Sequence, residues 1–181
     1  MKVMESGLGG VLVFEPAVHG DERGFFFESY RDDEFRRAAG PVRTFVQDNH
    51  SRSLRHVLRG LHYQVREPQW KLVRVVLGEI FDVVVDLRRQ SPSFGKWMGV
   101  TLSAGNKRVL WIPEGFAHGF LVTSEVAETV YKATDYYAPQ HERSLLWNDP
   151  ALAIDWPLTA PPILATKDMA GKRLADADVF D

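Results

Sequence analysis

Two histidines in strand-like surroundings are the residues of this sequence best suited to proton chemistry. His62 lies between Arg59 and Gln64, with Lys71 a little further along, and His118 follows a turn that contains proline and glycine. Side chains on a strand alternate between its two faces, so His62 and Gln64 point to the same side. Histidine titrates near neutral pH and is the most frequent general base in enzymes. Because clustered ionisable groups mark functional sites, the pattern predicts a small-molecule site.

Segments 60–62 and 113–118 resemble the two sequence motifs of the cupin barrel. In metal-binding cupins the first motif supplies two histidines two residues apart and a nearby glutamate. Here Gln64 stands in place of the second histidine, and the expected glutamate is missing. His62 and His118 alone are fewer than the three protein ligands that catalytic zinc or iron usually needs. We therefore expect no metal and no other cofactor.

A histidine base with Lys71 nearby suits the removal of a proton next to a carbonyl group. The ammonium of Lys71 would stabilise the negative charge that builds on the carbonyl oxygen as an enolate forms. If the proton is to return to the opposite side of the carbon, an acid on that side is needed as well, and Tyr131 is the candidate. An ordinary strand tyrosine with its ring in the core would give the same pattern. His118 has a similar alternative, because a histidine after a turn often only satisfies backbone groups.

The composition is that of a globular protein without a strong charge bias. Of 181 residues, 45% are hydrophobic and 25% are charged, and the formal net charge is −2. The length suits a single domain, residues 1–181, and the weak charge favours neither nucleic acid nor a membrane surface as a partner. The absence of cysteine excludes disulfides and thiolate sites. Residues 1–10 have no apolar signal core, and no apolar run is long enough to cross a membrane, so we expect a cytoplasmic protein.

Short strands separated by glycine and proline predict an all-β fold, an antiparallel sandwich or barrel with a few short helices. One helix is expected over Asp32–Ala39, because aspartates favour its N-terminus and Gly40-Pro41 stops it. Residues about 139–181 are expected to form an irregular arm packed on the barrel, with a short helix towards its end. The predicted strands are 11–14, 43–49, 56–64, 71–77, 80–87, 97–103, 109–112, 118–123 and 127–135.

Three local patterns give more specific expectations. Residues 77–80 predict a tight hairpin between two neighbouring strands. Alternating aspartate and aliphatic residues over 82–87 predict a strand with one face in water. The aromatic run 25–27 follows a turn at 21–24 and is expected to pack within a strand rather than to hold a ligand.

Several motifs, in order along the chain, resemble one family together. The chain looks like a member of the dTDP-4-dehydrorhamnose 3,5-epimerase family, and the resemblance runs from about Val11 to Asp168. It implies a double-stranded β-helix (cupin or jelly-roll) barrel. It also implies a dTDP-linked 4-keto-6-deoxyhexose as substrate, whose C3 and C5 hydrogens flank the C4 ketone and are acidic. The motifs that carry it are 21–28, 47–51, Leu58–Gln64, 71–75, 110–120, 131–137 and 147–150.

The resemblance also implies a role for each matching residue. His62 is the base and Asp168 the carboxylate that orients it and fixes its tautomer, Tyr131 is the proton donor, and Lys71 stabilises the enolate. Tyr137 would stack on thymine. A homodimer is implied, in which segment 23–28 reaches into the partner's site. The remaining substrate-binding residues are Arg23, Glu28, Gln47, Asn49, Arg59, His118, Glu142 and Lys167.

Two departures from the family pattern leave alternatives open. His56 stands where the family usually has glycine, and Trp70 replaces a small residue just before Lys71, where an indole could reshape the sugar pocket. A mono-epimerase that inverts only C3 or only C5 therefore remains a second hypothesis. A non-catalytic cupin that only binds a sugar nucleotide is the third.

Overall fold

The computed structural model describes the backbone of residues 1–181 and every side chain except that of Glu5. Over this range the chain forms thirteen strands and two short α-helices, α1 (Asp32–Ala39) and α2 (Thr166–Met169). In chain order the strands are β1 (Lys2–Glu5), β2 (Leu12–Glu15), β3 (His19–Asp21), β4 (Gly24–Phe26), β5 (Gln47–Leu54), β6 (Leu58–Gln64), β7 (Lys71–Leu77), β8 (Glu79–Asp86), β9 (Trp97–Ser103), β10 (Val109–Ile112), β11 (Phe116–Val122), β12 (Val126–Ala133) and β13 (Glu142–Ser144).

The strands form two large sheets and one small hairpin. Six strands pair in the order β1-β2-β10-β7-β12-β5, five pair in the order β13-β6-β11-β8-β9, and β3 pairs with β4. Paired strands in both large sheets run antiparallel, as in β11 against β8 and β12 against β5. The predicted all-β antiparallel barrel with a few short helices is confirmed.

The main core lies between the two large sheets. Val73 and Val75 of β7 face it from the six-stranded sheet, and Ile80 and Val84 of β8 face it from the five-stranded sheet. All four are at most 4% exposed. Burial of such a side chain contributes roughly 1.5–3 kcal/mol, so this layer holds the two walls of the barrel together.

The outer face of the five-stranded sheet is also covered, and the predicted wet face is wrong. Val83 and Val85 of β8 pack against Leu145, Leu152 and Trp156, which belong to the segment after residue 138. The other face of β8 points into the barrel, so its aspartates are buried as well. Alternation along a strand shows that two faces differ, but not whether a later segment of the chain covers the outer one.

Helix α1 lies on the outer face of the six-stranded sheet and has the predicted bounds. Phe35, only 2% exposed, anchors it with ring centroids 5.6 Å from Phe14 and 4.9 Å from Trp111. Acidic residues occupy its first turn, where their negative charge interacts favourably with the positive end of the helix dipole. The helix ends at Ala39, and the next residue, Gly40, has a positive φ of 78°, which glycine adopts without strain.

The predicted hairpin at residues 77–80 is wrong, because β7 and β8 belong to different sheets. β7 pairs with β10 and β12, whereas β8 pairs with β9 and β11. Gly78, with φ 73°, turns the chain from one wall of the barrel to the other. A second difference is β5, which spans Gln47–Leu54 rather than 43–49 and pairs with β12 along its whole length.

The aromatic run after the β3–β4 turn does not pack inside the chain. Phe25 and Phe26 are 64% and 69% exposed, so the expectation of strand packing is wrong for them. The ammonium of Lys107 lies 4.3 Å from the centre of the Phe25 ring.

Among the helices of the described chain, none is long and apolar enough to cross a membrane.

Candidate active site

The centre of the site is a hydrogen-bonded pair, His62 on β6 and Asp168 on α2. His62 Nε2 lies 2.6 Å from Asp168 Oδ1, and the carboxylate also accepts the backbone N–H groups of Gly60 and Ala165 at 3.3 and 3.2 Å. Burial raises the pKa of Asp168, but these hydrogen bonds outweigh it and leave the pKa below its ordinary value. The carboxylate is therefore ionised and Nε2 donates to it, which leaves Nδ1 of neutral His62 free to accept a proton.

A second histidine–aspartate pair lies beside the first on the same sheet. His118 of β11 stands directly opposite His62 in the strand register. Its Nε2 lies 2.9 and 3.0 Å from the two carboxylate oxygens of Asp82 on β8, which is fully buried. Burial raises the pKa of Asp82, whereas His118 and Lys71 act to lower it. Among the side chains that the structure describes, no three of His, Cys, Asp and Glu cluster as metal ligands would.

Lys71 and Tyr131 enter the site from the six-stranded sheet. Lys71 is at the start of β7 and Tyr131 near the end of β12, with the ammonium 6.0 Å from the centre of the phenol ring. Burial lowers the pKa of Lys71 to about 8, although Glu142 and Asp82 favour its charged form. Burial raises the pKa of Tyr131, against the effect of nearby cations, so its hydroxyl stays protonated at neutral pH.

A network of three polar side chains lies further along the same cavity. Lys167 of α2 lies 2.9 and 3.1 Å from the two carboxylate oxygens of Glu142 on β13, and the Tyr137 hydroxyl donates to Glu142 at 3.0 Å. Burial raises the pKa of Glu142, but Lys167, His62 and Tyr137 together lower it below its ordinary value. Half of Tyr137 (51%) is exposed, so its ring is accessible to a planar ligand.

Polar side chains of β5 and β6 complete the lining. Gln47 Nε2 donates to Asn49 Oδ1 at 2.9 Å, and Arg59 Nε donates to the Ser53 hydroxyl at 2.9 Å. Asn49 Nδ2 is buried without a partner among the described side chains, so it can donate to a ligand.

A single cavity of about 400 Å³ brings most of the predicted residues together. Within the described chain, Arg23 and Glu28 lie outside it. Their side chains are 85% and 56% exposed and form ion pairs with Asp21 and Arg31. Asp82, which does not line the cavity but is hydrogen-bonded to His118, was not predicted from the sequence. The predicted residues that line the cavity are Gln47, Asn49, Arg59, His62, Lys71, His118, Tyr131, Tyr137, Glu142, Lys167 and Asp168.

Comparison with known proteins identifies the family. The model of the dTDP-4-dehydrorhamnose 3,5-epimerase family matches residues 5–176. The chain belongs to this family. A relative of that name from Pseudomonas aeruginosa is 62% identical over 180 residues, which cover 99% of each chain.

Two solved structures extend the likeness to three dimensions. A Legionella pneumophila dTDP-6-deoxy-D-glucose-3,5-epimerase, in complex with dTDP-4-keto-L-rhamnose, has a TM-score of 0.95 and 51% identity and covers 98% of this chain and 94% of its own. A 3′-monoepimerase from Streptomyces bikiniensis, in complex with dTDP-quinovose, has a TM-score of 0.89 and 36% identity, with coverage of 93% and 86%. The family resemblance and the cupin barrel expected from the sequence are confirmed.

The two departures from the family pattern lie away from the cavity. Trp70 packs on the outer face of the six-stranded sheet, with its ring 5.5 Å from that of Trp111, because neighbours on an extended chain point to opposite sides. The expectation that Trp70 could reshape the sugar pocket beside Lys71 is therefore wrong. His56 has φ 66°, a left-handed conformation that glycine adopts without strain.

Proposed function

We propose that this protein inverts C3 and C5 of dTDP-4-dehydro-6-deoxyglucose and so forms dTDP-4-dehydrorhamnose. The observation that carries the proposal is the placement of base and acid on opposite walls of one cavity. His62 projects from the five-stranded sheet and Tyr131 from the six-stranded sheet. A sugar bound between them meets a base on one face and a proton donor on the other, which inversion requires.

The reaction at each carbon begins with proton removal. Nδ1 of His62 takes the hydrogen from the carbon next to the C4 ketone, and the electron pair moves into an enolate. The negative charge collects on the C4 oxygen, where the ammonium of Lys71 stabilises it. Tyr131 then returns a proton to the opposite face of the same carbon. The imidazolium loses its proton and the tyrosinate regains one through water, which resets both groups for the second carbon.

The polar lining suits the nucleotide portion of such a substrate. Arg59 and Lys167 would hold the diphosphate, because guanidinium and ammonium groups bind phosphate oxygens. Tyr137 would stack on thymine with its exposed ring. Binding of the diphosphate to Lys167 competes with its ion pair to Glu142. The other proposed contacts to the nucleotide sugar are Gln47, Asn49 and His118.

We propose that the working form is a homodimer, as the resemblance implies. Arg23 and Glu28 lie outside the cavity of their own chain, next to the exposed Phe25 and Phe26. Insertion of this hairpin into the partner's site would bury the two rings and bring the guanidinium to the substrate. We also propose that the enzyme is cytoplasmic, which agrees with a sequence free of cysteine.

Deuterium incorporation tests the reaction. In D2O the unmodified protein is expected to label both C3 and C5 of the substrate, because the hydrogen that Tyr131 delivers to each carbon comes from solvent. His62→Ala should abolish labelling at both carbons while dTDP still binds. Labelling by His62→Ala at an unreduced rate would contradict the proposed base.

A mono-epimerase is the second candidate, and the likeness to the Streptomyces bikiniensis 3′-monoepimerase favours it. The same experiment separates the possibilities. Labelling at one carbon alone identifies a mono-epimerase, and binding of dTDP without labelling identifies a non-catalytic protein. NMR of the product then gives the configuration at each carbon.

A further inference from the structure

Gln64 at the end of β6 lines the cavity, and the amide of its side chain is bonded to a loop. It is only 5% exposed. Its Oε1 accepts the backbone N–H of Ala138 at 3.0 Å, and its Nε2 donates to the carbonyl oxygens of Glu67 at 2.8 Å and Tyr136 at 3.4 Å. Both amide donors and one acceptor site are therefore occupied within the chain.

These hydrogen bonds hold the backbone on both sides of Tyr137, a residue that lines the cavity. Tyr136 and Ala138 are the sequence neighbours of Tyr137, and Gln64 binds a backbone group of each. The N–H of Tyr137 itself donates to Gln47 Oε1 at 3.0 Å. Three consecutive residues outside the regular strands are thus fixed by two side-chain amides.

The segment 136–138 depends on such support because it belongs to no regular helix or strand. It follows the end of β12 and precedes a single 3₁₀ turn at Pro139–His141. Tyr136 and Tyr137 are 66% and 51% exposed, so hydrophobic packing does little to orient their backbone. Without the amide of Gln64, a buried N–H and two carbonyl groups would lose their partners.

We propose that Gln64 is a positioning residue that fixes the Tyr137 ring at the nucleoside end of the cavity. This inference rests on the proposed function, in which Tyr137 stacks on thymine. The position at which metal-binding cupins carry a second histidine here serves to preorganise a binding loop. Preorganisation affects substrate binding more than the proton transfer at His62 and Tyr131.

Gln64→Met tests the role, because methionine has a similar length and volume but makes no comparable hydrogen bonds. The affinity for dTDP, measured by calorimetry, is expected to fall about tenfold, which corresponds to the loss of roughly one to two net hydrogen bonds. KM should rise by a similar factor while kcat stays within about twofold. Gln90→Met, the same replacement at an exposed position, is the matched control and should leave the dTDP affinity, KM and kcat unchanged.

A double-mutant cycle with Tyr137→Ala shows whether Gln64 acts through the tyrosine. In the Tyr137→Ala background, Gln64→Met is expected to weaken dTDP binding less than about twofold, because the ring that it positions is gone. Equal losses in both backgrounds would overturn the inference, as would a fall in kcat without a change in KM. If Gln64→Met does not fold, Gln64→Asn takes its place, since that amide is one methylene too short to reach the loop.

Failure of the inference is distinguishable from failure of the proposed function. Binding of dTDP is measured without turnover, so a protein that labels neither carbon in D2O still reports on Gln64. Unchanged dTDP affinity in Tyr137→Ala would overturn the stacking role and, with it, the role of Gln64. Loss of affinity in Tyr137→Ala but not in Gln64→Met would overturn the role of Gln64 alone.

Discussion

Asp168 decides which nitrogen of His62 can take a proton. Its ionised carboxylate accepts the Nε2–H, so the lone pair that remains in the neutral ring is on Nδ1. Asp168→Asn removes the charge and allows the amide to donate instead, which favours the wrong tautomer. We expect kcat to fall about 10²- to 10⁴-fold, as for other histidines that lose an orienting aspartate. Steady-state kinetics measure the loss, and an unchanged dTDP affinity is the control. A kcat within about threefold of the unmodified enzyme would contradict this role.

We expect the pKa of Lys71 to set the upper limit of the active pH range. A lysine is cationic below its pKa, and burial lowers the pKa of Lys71 to about 8. Above that pH the amine becomes neutral and no longer stabilises the enolate, so kcat/KM should fall as pH rises through about 8. The pKa of Tyr131 is raised above its ordinary value, so loss of the phenol proton does not explain a fall in this range.

Lys71→Arg tests that assignment, because a guanidinium stays charged throughout the accessible pH range. The variant should have lower activity at neutral pH but no alkaline fall near pH 8. Lys132→Arg is the matched control, since Lys132 forms an ion pair with Asp48 away from the cavity. Persistence of the same alkaline limb in Lys71→Arg would show that another group causes it.

The sequence predicted the residues proposed to react with the substrate better than the residues that hold the site's side chains in place. His62, Lys71 and Tyr131 could be identified from residue type, spacing and the family motifs, and they line one cavity. Asp82 was missed because strand alternation does not separate a buried polar interior from a solvent face. The available signal was Val84, an aliphatic residue two positions away and therefore on the same face of the strand as Asp82.

At the level of elements, the connection from β7 to β8, which leads from one large sheet to the other, depends on a single glycine. A Cβ at Gly78 would overlap the carbonyl oxygen of Val126, and the φ of 73° is strained for other residues. Gly78→Ala should therefore lower the free energy of unfolding by roughly 2 kcal/mol or more. Urea denaturation measures the change.

Gly7→Ala is the matched control for backbone strain without overlap. Its φ is 81°, but nothing lies within 4 Å of an added Cβ. We expect a loss of only about 1 kcal/mol there. Equal losses at the two positions would show that the close approach to Val126 does not matter.

Elements with local signals could be predicted, and elements made by pairing could not. Helix α1 has charged residues at its start and glycine at its end, so its bounds were correct. β5 is rich in polar residues and exists because it pairs with β12 over eight positions, a partner that local sequence does not reveal. The turn at Gly78 has hairpin chemistry, but long-range pairing sends its two strands to different sheets.

At the scale of the whole molecule, the proposed dimer predicts complementation between two inactive variants. Arg23→Ala removes the residue proposed to act in the partner's site, and His62→Ala removes the base. A heterodimer of the two has one intact site, because His62 and Arg23 of that site come from different chains. After subunit exchange, an equal mixture should recover up to about a quarter of the unmodified activity.

The controls for this experiment are the separate variants carried through the same exchange, which should stay inactive. Sedimentation equilibrium reports whether the chains are dimeric. The contrary outcome is a mixture that stays as inactive as its components, although the protein is shown to be dimeric and to exchange subunits. Arg23 would then act in the site of its own chain or have no role in catalysis.

Asp168, the carboxylate proposed to orient the base, comes 106 residues after the histidine to which it is hydrogen-bonded. A ribosome therefore completes β1–β12 and most of the walls of the cavity before it adds Asp168. Until that residue emerges and α2 docks, the nascent polypeptide has an imidazole with no fixed tautomer. We therefore expect a chain that ends before α2 to convert nucleotide sugars far more slowly than the full-length protein.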